Sequence, residues 1–295
     1  MAQDFAQLFS LHERTAFVTG ASSGLGVTFA EALAAAGARV VLAARRVEKL
    51  REVERRIVAR GGQAMSVQCD VGDPAQVETA VEAACLRFGR IDVFLNNAGI
   101  AAEVGAVPEN IPHEQFEQTI RTNLLGTWYG CREAGRRMLA DGRGGSIINI
   151  ASICGLGAYQ DWPSAYQASK AAVINLTRNL AVSWAERGVR VNALAPGWFS
   201  TEMTDGVLAL PAFKKWVEDG AAMRRLGDPE ELVGPLLFLA SDASSYVTGE
   251  TLVVDGGASV SMGVSRLPEE FNKLRESFPG DVGKKIGSRR EMAAD

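Results

Sequence analysis

The sequence predicts a doubly wound α/β fold, a parallel sheet with helices on both faces. Three observations predict it. Short apolar, β-branched runs alternate with segments of helical period along the chain. A glycine-rich turn joins the first such run to the first helical segment. No composition break, linker or internal repeat interrupts residues from about 10 to 260, so one domain is expected over 1–263. At 295 residues and 47% hydrophobic content, the chain is long enough for one large core.

The first strand is expected at 15–20 (Thr-Ala-Phe-Val-Thr-Gly), followed by a helix at 25–36 with Gly37 as its stop. A second strand follows at 39–44, and then Val47, Leu50, Val53 and Ile57 recur at helical spacing. A third strand is expected at 64–71. Asp73-Pro74 opens the next helix as N-cap and first-turn proline, with Val77, Val81, Ala84 and Phe88 on its buried face. The fourth strand falls at 91–95, one helix runs from about 114 to 139, and the fifth strand spans 146–151. The next helix carries Tyr166, with Ser164 as its N-cap, and runs to about 186. A sixth strand is expected at 189–195. Asp228-Pro229 with Glu231 forms a capping box that starts another helix, and the last strand is 251–255. Right-handed crossovers set the handedness of the sheet. The segment 264–295 reads differently. It is polar, with Pro268, Pro279, Lys284-Lys285 and Arg289-Arg290. It is expected to be a C-terminal extension, in part disordered, in part a docking helix at 269–277 or an arm onto a partner subunit.

Composition excludes several function classes. The net charge of −4, without a basic block, argues against nucleic acid. The apolar stretches stop short of the ~20 residues a membrane span needs. The first residues lack the charged and apolar regions of a signal peptide. Cys69, Cys85, Cys131 and Cys154 are scattered, and His12 and His113 are isolated, so no metal site is expected. A soluble cytoplasmic protein is the resulting expectation.

The chemistry lies in a few motifs. Tyr166 and Lys170 stand four residues apart on one helical face. An ammonium beside a phenol favours the phenolate, so the tyrosine pKa is expected to fall. Thr19-Gly20-Ala21-Ser22-Ser23-Gly24-Leu25-Gly26 links the first strand to the first helix. Its glycines allow positive φ, and the helix N-terminus offers free N–H groups to a pyrophosphate. Leu42-Ala43-Ala44-Arg45-Arg46 ends the second strand with two cations where an acid would bind a ribose hydroxyl. Arg45 and Arg46 therefore favour a 2′-phosphate, and NADP(H) is expected over NAD(H). Asp70, with Val71 after it, ends the third strand near the adenine position or simply forms a turn. Asn96 is expected to cross-link strands, and Asp255 to form a turn.

Together these residues resemble the short-chain dehydrogenase/reductase family, of the single-domain type, over about residues 12–258. The resemblance implies a Rossmann-like sheet of about seven parallel strands. It implies that Gly20, Gly24 and Gly26 form the cofactor turn and that Asp70 contacts adenine. Asn97-Ala98-Gly99 would lie beside the adenine ribose. Asn123 would be the helix-kink asparagine that holds a relay water, and Ser152 the serine that orients the substrate carbonyl. Tyr166 would be the general acid/base, and Lys170 the ligand of the nicotinamide ribose. Pro196, Gly197, Phe199 and Thr201 fall in the segment at the nicotinamide. Ser152 lies fourteen residues before Tyr166, one more than in many relatives, which a loop extension at 158–163 absorbs. Ser164 is a rival for the serine role. The C-terminal segment is longer than the family norm.

The substrate pocket is expected from Ile153, Tyr159, Trp162, Trp198, Phe199, Met203 and Leu208, walls that suit an apolar or amphipathic carbonyl compound. Arg132, Arg136, Arg137 and Arg143 form either a solvated helix face or a patch for an acyl carrier protein. The resemblance implies a homodimer or homotetramer packed on the helices around 114–139 and 164–186. The leading function is an NADPH-dependent carbonyl reductase, of ketone or 3-oxoacyl type. Its rival is an NAD(P)-dependent alcohol dehydrogenase oxidising a secondary alcohol, sugar acid or steroid. A non-catalytic dinucleotide sensor is the alternative of another class.

Overall fold

The structure, a computed structural model, describes residues 5–160 and 162–261. The strands are β1 (Thr15–Thr19), β2 (Arg39–Ala44), β3 (Gln63–Gln68), β4 (Val93–Asn96), β5 (Gly145–Ile150), β6 (Val189–Pro196) and β7 (Thr251–Val254). Between them run α1 (Leu25–Ala35), α2 (Val47–Ala59), α3 (Pro74–Phe88), α4 (His113–Ile120), α5 (Gly126–Asp141) and α6 (Ser164–Trp184). After β6 come α7 (Asp205–Leu208), α8 (Pro211–Gly220) and α9 (Val233–Ala240). The strands form one parallel sheet in the order β3-β2-β1-β4-β5-β6-β7.

Alternation along each strand divides the core into two layers. Ala16 and Val18 of β1 face one side, where Phe29 and Leu33 of α1, Leu50 of α2 and Leu236 of α9 are buried. Phe17 faces the other, against Val77 of α3, Met138 of α5 and Leu180 of α6. Phe17 stacks on Phe94 of β4 with ring centroids 4.7 Å apart. The chain winds outward from β1 to β3, then returns to place β4 on the other side of β1. That reversal opens a crevice beyond the carboxyl ends of β1 and β4.

Asp73 caps α3 as expected, its side chain accepting from the amides of Ala75 and Gln76. Asn96 cross-links β4 and β5 by donating to Asn149 Oδ1 at 2.9 Å. Four expectations need correction. The third strand ends at Gln68, because Asp70 accepts from the Gly72 amide and turns the chain. The continuous helix expected at 114–139 is two helices joined by a π turn at Arg121–Leu125. Ser164 is the first helical residue rather than the N-cap, which is Pro163. The capping box at Asp228 and Glu231 forms, but on a 3₁₀ turn (Pro229–Leu232) that only then continues as α9. The extension expected at 264–295 lies outside the described residues. Among the described residues no helix is long and apolar enough to cross a membrane.

Candidate active site

The crevice is a cleft of about 510 Å³. Its floor is the glycine turn. Gly20 and Gly24 have φ of +68° and +52°, a region that costs other residues strain. A Cβ on Gly26 would lie 2.2 Å from the Gly20 carbonyl oxygen, so only glycine fits there. Asn97 braces the turn by donating to the carbonyls of Thr19 (2.9 Å) and Gly20 (3.3 Å). Thr19 Oγ1 in return accepts from the amides of Asn97 and Ala98. The result is a rigid concave cradle at the start of α1, suited to a pyrophosphate. Ser22, Ser23, Leu25, Asp70, Val71, Ala98, Gly99, Pro196, Gly197, Phe199 and Thr201 all line the cleft, so the dinucleotide group fits the residues present.

The other end of the cleft gathers Ser152, Tyr166 and Lys170. Ser152 lies two residues beyond β5 and caps a short 3₁₀ turn, its hydroxyl accepting from the Cys154 amide at 3.1 Å. It also faces the Tyr166 phenol closely enough to favour its ionised form. Lys170 is 4% exposed and donates to the Ile150 carbonyl at 2.7 Å, with Nζ 5.5 Å from the Tyr166 ring centroid. Asn123 sits in the π turn. Its Oδ1 accepts from the Ile100 amide at 2.8 Å, and its Nδ2 donates to the Ile100 carbonyl at 2.9 Å and to Ser169 Oγ at 3.1 Å. Ser169 Oγ donates to the Tyr166 carbonyl at 2.7 Å. Both amide hydrogens of Asn123 are therefore committed to holding the bend next to α6.

The electrostatics correct one expectation. Burial, then the nearby Cys154 thiol, push the Tyr166 phenol above its ordinary value, and Ser152 pulls it only part of the way back. Burial pulls Lys170 down to about 8, against the opposing influence of Cys154. The phenol is not lowered by its neighbour, because desolvation outweighs an ammonium that is itself weakened.

The adenosine end carries the two arginines. Arg45 is exposed on the cleft and has no hydrogen bond or ion pair among the described residues. Arg46 is engaged. Its guanidinium forms a two-bond fork with Glu202, 3.0 Å in each arm, and also donates to Ser22 and Ser23.

Of the expected substrate walls, Met203 lines the cleft beside Ile100 and Ala101. Ile153 and Leu208 are buried. Tyr159, Trp162 and Trp198 pack among themselves and with Phe213 and Trp216 of α8. Arg132, Arg136 and Arg143 are paired with carboxylates, Glu133, Glu78 and Asp141 among them, and offer no free basic patch.

Sequence reasoning missed two carboxylates. Glu103 is fully buried. It accepts from the Tyr166 amide at 2.8 Å and from Thr119 Oγ1 at 2.5 Å, tying the loop after β4 to the first turn of α6. No local pattern marks it, since its partners are 16 and 63 residues away. The other is Glu202, although it follows Thr201. Among the described residues no three His, Cys, Asp or Glu side chains gather as a metal set.

A family model described as Enoyl-(Acyl carrier protein) reductase matches residues 20–259. The chain is 40% identical over 255 residues to gluconate 5-dehydrogenase of Gluconobacter oxydans (strain 621H), covering 86% of this chain and 98% of that one. It is also 40% identical over 256 residues to 3beta-hydroxysteroid dehydrogenase 1 of Eggerthella lenta, covering 86% and 96%. Among solved structures it is similar to a gluconate 5-dehydrogenase from Burkholderia cenocepacia J2315 in complex with NADP and tartrate. That pair has a TM-score of 0.83 and 37% identity, over 87% of this chain and 99% of that one. Relatives matched along nearly their whole length settle the kinship: the chain belongs to the short-chain dehydrogenase/reductase family of oxidoreductases.

Proposed function

We propose that the protein is an NADPH-dependent carbonyl reductase acting on an uncharged ketone or 3-oxoacyl compound. The observation that carries this reading is the Ser152, Tyr166 and Lys170 constellation at one end of a cleft whose other end presents Arg45 and Arg46. When bound, the dihydronicotinamide supplies hydride to the carbonyl carbon. Ser152 and Tyr166 donate hydrogen bonds to the carbonyl oxygen and stabilise its growing charge. Tyr166 then gives its proton to the alkoxide. A phenol held above its ordinary value is the protonated donor this direction requires. Lys170, anchored on Ile150, is positioned to hold the ribose hydroxyls and, with Asn123 and a water, to restore the proton. Arg45 supports the preference for NADP(H) as a free cation for a 2′-phosphate. Lys170 is the one cation among the cleft residues at the substrate end, which favours an uncharged substrate over a sugar acid.

The relatives named as dehydrogenases favour a second reading, NAD(P)-dependent oxidation of a secondary alcohol at the same site with Tyr166 as base. Exposed apolar residues on α5 and α6, Trp128 and Val182, support assembly as a homodimer or homotetramer. Four free cysteines are compatible with the reducing cytoplasm.

The test is Tyr166→Phe, assayed on a ketone panel with NADPH and NADH at matched concentration. Turnover is expected to fall about 10³-fold. NADPH binding, followed by fluorescence titration, should be retained. A Phe variant that keeps most of its reductase rate overturns the assignment.

A further inference from the structure

We propose that Glu202 is a cofactor-discriminating residue: its carboxylate occupies the Arg46 guanidinium in the position a 2′-phosphate would take, and so weakens selection for the phosphorylated dinucleotide. The inference rests on the NADP(H) reading above and deepens it.

Glu202 follows Thr201 in the segment after β6, yet it binds at the far end of the cleft, beyond β2. The segment reaches that end by passing over the glycine turn. A Cβ built on Gly24 would lie 3.5 Å from the Thr201 Cβ. From there Glu202 makes the two-armed contact with Arg46, 3.0 Å on each oxygen, and accepts from Lys49 at 3.3 Å. A planar guanidinium offers such a fork equally to a carboxylate and to a phosphate. The same guanidinium donates to Ser23 Oγ at 2.5 Å and to Ser22 Oγ at 3.3 Å, so it is held against the turn where a dinucleotide's ribose would approach. A 2′-phosphate arriving at Arg46 must therefore displace Glu202 or share the arginine with it.

The ion pair is half exposed, 45% and 52% for its two side chains. Such a pair adds little to stability, so removing its acid leaves the fold in place. What changes is the potential at the rim. Glu202 offsets the charge of Arg46 and Lys49 there, beside Arg45, and without it a dianionic phosphate meets a more positive rim. Arg45, free of polar partners among the described residues, accounts for the discrimination that remains while Glu202 holds Arg46.

The experiment measures adenosine 2′,5′-bisphosphate and adenosine 5′-monophosphate by calorimetry on the wild-type chain, Glu202→Gln, Arg46→Ala and the double variant. These two ligands differ only in the 2′-phosphate. Glu202→Gln is expected to tighten the bisphosphate about tenfold and to leave the monophosphate within about twofold. The gain should shrink as salt is raised and vanish in the Arg46→Ala background. An unchanged or weakened bisphosphate affinity overturns the inference. So does equal tightening of both ligands, or a gain that survives without Arg46. If the wild-type chain binds neither nucleotide, the dinucleotide reading falls along with the inference, a result distinct from the others.

Discussion

Tyr166 and Lys170 lie one turn apart on α6, and burial moves both away from their charged forms. For Lys170 the folded value of about 8 lies below the ordinary 10.5. Between those values the unfolded chain binds the extra proton, so stability rises as pH climbs from about 8 to about 10.5. Tyr166 acts in the opposite sense. Above about pH 10 the unfolded chain loses a proton that the folded chain keeps, and stability falls. Without added nucleotide, the wild-type Tm is expected to rise relative to that of Lys170→Met between pH 8 and 10. Parallel Tm curves for the two proteins would show that burial of the ammonium carries no such cost. Glu103 belongs to the same neighbourhood. Its carboxylate sits at the amino end of α6, where the helix dipole favours negative charge, and holds Tyr166 through the backbone rather than the ring.

Among the elements, the bend between α4 and α5 and the seating of α5 decide the shape of the site. The π turn exists because Asn123 satisfies both backbone groups of Ile100 in the loop after β4. The following helix then lies close to the sheet. A Cβ on Gly130 would fall 2.1 Å from Asn96 Oδ1 and 2.8 Å from the Phe94 ring. Asn96 cannot retreat, since it also bonds Asn149 on β5. Gly130→Ala is therefore expected to destabilise the chain by about 3 kcal/mol, despite the better helix propensity of alanine. Urea denaturation measures this directly, and a change smaller than ~0.5 kcal/mol would mean that α5 is free to shift on its sheet.

For the whole molecule, the reversal of winding between β1 and β4 brings residues from the loops after six strands, β1 to β6, into one cleft, and the segment after β6 closes over it. Trp198 is the hub of that closure, with centroid distances of 5.2 Å to Trp162 and 5.4 Å to Phe213. Trp198→Ala should cost about 3 kcal/mol and raise KM for an apolar ketone about tenfold, with a smaller effect on KM for NADPH. Equal changes in both constants would place the aromatic cluster outside substrate recognition.

Strand alternation, the Asp73 cap, the glycine turn and the Tyr166–Lys170 spacing were legible because each is a local pattern, complete within one or two turns of chain. The bend at Asn123 was legible only through the family resemblance and not from local pattern, since its partner is Ile100, 23 residues away. Nor was Glu103, buried by contacts remote in sequence, or the clustering of Tyr159, Trp162 and Trp198 with Phe213 and Trp216, which depends on α8. Local periodicity by itself determined the fold class, short motifs marked the glycine turn and the Tyr166–Lys170 pair, and the family resemblance added Asn123 and Ser152. Tertiary structure alone decided their protonation and which arginine is free, because desolvation and ion pairing depend on neighbours that only the folded chain assembles.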